Sequence, residues 1–188
     1  MRPRAVGRGM ERHGRGVGVP ALRRHADRIV SELIAEYGRA DCIRRRWPCA
    51  PDAYDRLRET YDSVGVVGGA GALVTDAGGR TLLVRYDGGT EWSDPGTGRR
   101  PGESMAECAT RAVREDVGVE CTVTDLTQVH LLYADDDTGR TPMPRPFALF
   151  AARHDSGEPR PVGADVAEAR WWEGLPEELR YGELGELL

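Results

Sequence analysis

At 188 residues, 39% of them apolar, the chain can bury one core of ordinary size with an appendage beside it, and no apolar run approaches the ~18 residues that a membrane-spanning helix needs. All 26 basic residues are arginine and the net charge is −5, but residues 1–60 hold 14 Arg against eight acids, so a head of net +6 precedes a body of net −11. Such a head can contact nucleic acid or the body itself; a solvated helical surface is the commoner use of the charge, so no nucleic-acid partner is expected.

Residues 1–19 are Arg/Gly-rich with almost no apolar content, which cannot offset the entropy of ordering them. They read as a disordered tail, with Met10 as an alternative start. They also lack the apolar core of a secretory leader. The four cysteines, Cys42, Cys49, Cys108 and Cys121, form no CxxC pair and no ligand spacing with the histidines. Reduced thiols in a cytoplasmic protein are the expectation.

Residues 20–61 read as a helical N-terminal extension. From Pro20 to Tyr37 the apolar positions Leu22, Ala26, Ile29, Val30, Leu33 and Tyr37 form one stripe, and Gly38 is the stop. That stripe must pack on the rest of the chain or on a second copy, so a homodimer is one outcome. Ile43–Trp47, with Arg44, Arg45 and Arg46, reads as a short strand or an exposed basic loop. Pro51–Tyr61 reads as a second short helix.

Residues 62–188 read as the main domain. Val64–Val74 and Thr81–Tyr86 are Val- and Leu-rich strands around the turn at residues 76–79. Glu91 and Trp92 lead into a Gly/Pro-rich loop and a helix. Cys121–Thr127, Val129–Tyr133 and Phe147–Arg153 follow as strands, with Asp135, Asp136 and Asp137 in a solvated turn. Pro142, Pro144 and Pro146 confine their segment to a connection or an edge. Ala169–Trp172 is the last strand and Glu177–Leu188 a closing helix. Strands and helices mixed without regular alternation predict an α+β fold.

The informative stretch is Trp92–Val119. Pro95, Gly96, Gly98, Pro101 and Gly102 form a loop, whereas Glu103–Val117 has neither Gly nor Pro and reads as a helix that Gly118 ends. Ala106, Ala109, Val113 and Val117 make its apolar stripe. Glu115 and Asp116 fall to either side of Ala112 on another face, about 60° and 40° away. Paired oxygen donors of this kind suit Mg²⁺ or Mn²⁺. Arg111, one turn from both Glu107 and Glu115, can bridge the two as i, i+4 ion pairs. Trp92, Tyr133, Phe147 and Trp171 can stack on a base, although aromatics chiefly serve packing.

The stretch resembles the Nudix box: Gly, five residues, Glu, seven residues, then Arg-Glu-apolar-any-Glu-Glu-any-Gly-apolar. Glu103, Arg111, Val113, Glu115, Gly118 and Val119 match, and Asp116 replaces a Glu conservatively. Thr97 stands for the first Gly and Ala112 for the Glu after Arg. The resemblance extends from about Val64 to Glu178. It implies a mixed β-sheet sandwiched between helices, and metal-dependent hydrolysis of a phosphoanhydride in a nucleoside diphosphate linked to another moiety. It assigns Glu115, Asp116, Arg111 and Glu103 to catalysis, with Arg111 orienting its neighbours. Metal falls to Glu115 and Asp116 with Glu168 or Asp165 from the loop before the last strand, and substrate contact to Trp92, Tyr133 and Phe147. The departure at Ala112 keeps a second reading open, a catalytically impaired ligand-binding or regulatory module.

Overall fold

The computed structural model describes residues 18–65 and 68–180. Of the tail expected over residues 1–19, all but Gly18 and Val19 lies outside the described residues, as does the expected closing helix beyond position 180.

Helix α1 (Val19–Tyr37) carries Pro20 in its first turn, where a missing N–H costs no hydrogen bond, and buries Leu22, Ala26, Ile29 and Leu33. Its stripe is covered by the chain's own sheet, with Tyr37 edge-on to Phe150 at 5.4 Å. The Arg44–Arg46 run is a strand, β1 (Asp41–Pro48), with Arg44 and Arg46 exposed. In α2 (Pro51–Val64) the buried Tyr54 and Tyr61 donate to the carbonyls of Thr141 and Pro144 at 2.8 and 2.6 Å. Val64, expected in a strand, instead ends that helix, where Gly65 caps it at φ 63°; residues 66 and 67 of the expected strand lie outside the described residues.

The remaining elements are β2 (Gly69–Thr75), β3 (Thr81–Tyr86), β4 (Trp92–Ser93), β5 (Gly96–Gly98), α3 (Met105–Val117), β6 (Glu120–Asp135), β7 (Met143–Ser156) and β8 (Val166–Trp172). The fold is α+β, built on one mixed sheet in the order β1-β6-β7-β2-β3-β4, with β5 on β2 and β8 on β3. β1/β6 and β2/β7 are parallel and the other pairs antiparallel. Cys121–Thr127 and Val129–Tyr133 prove to be one strand with register shifts, not two.

Pro144 and Pro146 lie inside β7, paired to Tyr133 and Leu131, but β2 joins β7 only from Phe147 onward. The prolines therefore occupy the stretch where β7 has a strand on one side alone, which is where a missing N–H is tolerated.

Strand alternation divides the core. Ala72, Val74, Leu82, Val84, Ala148 and Phe150 face the three helices and share one cluster with Leu22, Tyr54, Tyr61 and Val113. Leu73, Leu83 and Leu149 face the other way and pack with Trp92, Trp172, Leu175 and Leu179. On that side Glu177–Arg180, expected to begin the closing helix, is not helical: Leu179 bridges Trp92, whose backbone N–H donates to the Glu178 carbonyl at 2.8 Å.

Candidate functional site

Ser104 starts α3 with a reciprocal cap: its hydroxyl accepts from the Glu107 N–H at 3.1 Å and its own N–H donates to the Glu107 carboxylate at 2.7 Å. Glu107 is thereby withdrawn from Arg111. The guanidinium instead grips Glu103 through Nε at 2.6 Å and Nη2 at 2.9 Å, and reaches Glu115 at 3.1 Å and the Gly98 carbonyl at 2.9 Å. Arg111 is only 7% exposed. It ties the loop to the helix by charge-assisted bonds. These bonds from Arg111 hold the Glu103 carboxyl below its usual range. Cys108, beneath them, is a neutral thiol that burial pushes up to about 11 and that donates to the Thr97 carbonyl.

Glu115 and Asp116 differ in setting. Glu115 is half exposed and meets Arg100 through both oxygens, at 3.1 and 3.0 Å. Desolvation opposes its ionisation, but Arg111 and Arg100 outweigh that and hold its carboxyl low. Asp116 is raised, chiefly by desolvation, although its Oδ2 accepts from the Tyr86 hydroxyl at 3.1 Å. The same hydroxyl accepts from the Gly96 N–H at 3.2 Å. Tyr86 thus links the end of α3 to the loop. Ala112, between the two acids on the helical projection, is fully buried.

Glu168 lies on β8 in an ion pair with Arg85 at 2.6 Å. Asp165 accepts the Asp87 N–H with its backbone carbonyl, and its charge is among those raising Asp116. Trp92 is buried against Trp172 at 5.0 Å, in the second core cluster. Tyr133 lies 5.9 Å beneath the Arg23 guanidinium. Phe147 lines a cleft on the sheet face away from α3, with Tyr86, Ser93, Asp94, Arg145 and Arg180. The acidic turn is saturated by arginine: Arg46 pairs with Asp135 and Asp137, and Arg140 with Asp136.

Asp94, Tyr86 and Arg100 were not singled out from the sequence. Asp94 is fully enclosed in the cleft wall, and burial pushes its carboxyl up to about 6. A signal did exist. Strand alternation places residue 94 on the side of the core residue Trp92, and the Gly69/Gly71 spacing removes side chains from one face of β2, which marks a close approach.

The family model of the NUDIX domain matches residues 67–181. Among solved structures the chain is similar to a NUDIX hydrolase from Nitrosomonas europaea, at 16% identity over 62% of this chain and 64% of that one, with a TM-score of 0.50. It therefore spans less than two thirds of that structure's length. It is also similar to a C. elegans Ap4A hydrolase in a binary complex, at 20% identity over 65% of this chain and 92% of that one, with a TM-score of 0.51. At such identities the likeness is one of fold. No curated protein matches the chain.

Proposed function

Since the chain belongs to the Nudix family, we propose that it is a hydrolase that cleaves a phosphoanhydride in a nucleoside diphosphate linked to another moiety, in the cytoplasm. The observation that carries this reading is the brace of Arg111 on Glu103, Glu115 and the Gly98 carbonyl, which sets the last turn of α3 firmly beside the loop. A neighbour named for hydrolysis of Ap4A supports a nucleotide-type substrate.

The donor chemistry fits Mg²⁺ or Mn²⁺, because Glu115 and Asp116 are adjacent hard oxygen donors and such ions take one or two carboxylates besides water and substrate phosphate. They do not offer more: among the described residues no three acidic, imidazole or thiol side chains converge. Glu115 and Asp116 would hold the ion, which neutralises phosphate charge and makes bound water more acidic. Glu168 is engaged by Arg85, so Asp165 is the better candidate for a third donor. Arg111 and Glu103 position the loop. Arg100 holds Glu115 in readiness and is exposed enough to turn toward phosphate instead. Asp116, raised above its usual range, takes up a proton more readily than an ordinary aspartate.

The test is release of products from a panel of nucleotides with Mg²⁺ or Mn²⁺. Wild type should turn over at least one substrate, and Glu115→Gln, which keeps shape and removes charge, should lose most divalent-ion affinity in calorimetry. Unchanged ion affinity would put the metal elsewhere. The fully buried Ala112, with no donor, favours a second reading, a module that binds such a ligand without cleaving it. Nucleotide binding with no turnover under either metal would select it.

A further inference from the structure

The loop carrying Asp94 lays its carboxylate over a floor without side chains. A Cβ at Gly71 would fall 2.0 Å from Asp94 Oδ2, and one at Gly96 would fall 3.3 Å from it and 2.8 Å from Phe147 Cζ. The carboxylate and the edge of the Phe147 ring therefore flank Gly96 in one hollow. With His130, Leu132 and Leu149 they wall a small hollow of about 10 Å³, and Asp94, Leu132 and Phe147 also line a cleft of about 250 Å³ beside it, together with Gly96, Arg145 and Arg180. Asp94 is 3% exposed. Its Oδ1 accepts from the Ser93 hydroxyl at 3.2 Å, whereas Oδ2 is buried and, among the described residues, has no hydrogen-bond partner. Such an oxygen forfeits the solvation it had in the unfolded chain, and a donor delivered by a ligand restores it.

We propose that this cleft is the base subsite and that Asp94, at its wall, accepts a hydrogen bond through Oδ2 from an exocyclic amino group of the base, against the Phe147 ring. That the ligand is a nucleotide rests on the hydrolase reading; that the base carries an amino group rests on the unpaired acceptor. A base with a carbonyl at the same place brings two acceptors together. A site with a buried polar group discriminates strongly against a partner that cannot pair with it. Arginine in the cleft wall suits the phosphates, since a guanidinium matches phosphate geometry.

Calorimetry without metal, in chelator, compares two matched pairs that differ by amino against oxo at one ring position: CDP with UDP, and ADP with IDP. The amino member of at least one pair should bind tenfold tighter or better, and Asp94→Asn, whose amide can donate to a carbonyl, should abolish or reverse that preference. Phe147→Leu should weaken both members alike. Should Asp94→Asn fail to fold, the preference of wild type and its persistence in Phe147→Leu decide the matter. Equal affinity within both pairs, a preference that Asp94→Asn leaves intact, or no nucleotide binding at all overturns the proposal. So does loss of Mn²⁺ binding in Asp94→Asn without nucleotide, which would make the carboxylate a cation ligand. Turnover without pair preference would remove the base assignment and leave the hydrolase; preference without turnover would do the reverse.

Discussion

On the helical side of the sheet Glu103, Glu107 and Glu115 each meet donors held by the same short stretch of chain, two of them sharing Arg111. On the other side Asp94 lies deeper than any of them, and among the described residues it has a serine hydroxyl for one oxygen and no hydrogen-bond donor for the second, with the Arg180 charge acting from farther off. The two settings move the carboxyls in opposite directions. Arg111 holds Glu103 low, and burial lifts Asp94 to about 6. A carboxylate whose partners are built in serves architecture first; one left incomplete in a hollow is arranged for something that arrives later.

The largest break in this contrast should come from Arg111→Met, which keeps the volume and removes the donor. Glu103, 12% exposed at its side chain, would then be left near-buried without its cation. Removing one partner of such a pair costs about 3 kcal/mol or more. The melting temperature of the variant should fall accordingly, and Arg111→Met with Glu103→Gln should recover much of the loss. A double variant no more stable than the single one would mean that Arg111 acts through the Gly98 carbonyl and Glu115 instead.

Asp94 should respond with the opposite sign. Its carboxyl rises from 3.8 to about 6 on folding, so the native state binds the extra proton and stability falls as pH rises between those values. The accumulated cost above pH 6 is roughly 3 kcal/mol. Asp94→Asn should therefore melt higher than wild type at pH 7, the two converging near pH 4. A melting difference between Asp94→Asn and wild type that stays constant across that window would show that Asp94 is solvated in solution.

Much of the box side was legible because its chemistry is local. Ser104 and Glu107 stand three residues apart, Arg111 and Glu115 four, and glycines mark the helix end, so helical geometry alone brings them together. The choice of Glu103 over Glu107 by Arg111 was not legible, since it depends on the cap having already claimed Glu107. The cleft was harder still. Asp94, Tyr86 and the β7 residues Arg145 and Phe147 come from three segments, and the pairing of β7 with β2 and of β5 with Gly69–Gly71 brings them around one cleft. Likewise the Arg44–Arg46 run became a strand because β6 offered an edge, which no feature of the run itself announces.

Ala112 sharpens the comparison at smaller scale, because it places a site for a carboxylate inside the helical side of the core. Its methyl is fully buried, one turn before Asp116, whose carboxyl is already raised by burial. Ala112→Glu therefore adds a like charge in a poorly solvated place, and the metal-free variant should melt below wild type. Divalent ion should reverse the order, since a third oxygen donor then has a cation to meet and the mutual repulsion becomes shared attraction. Mn²⁺ should do so more readily than Mg²⁺, which demands a near-ideal octahedron. If the proposed hydrolysis is limited by the donor set, turnover should rise about tenfold, only about 1.4 kcal/mol of barrier. Thermal melts of both proteins in chelator, Mg²⁺ and Mn²⁺, beside the nucleotide assay, read the two effects separately. Metal that stabilises the variant without raising turnover on any nucleotide would transfer the weight to the ligand-binding reading, whereas metal that leaves it less stable than wild type would show that Glu115 and Asp116 do not hold an ion beside position 112.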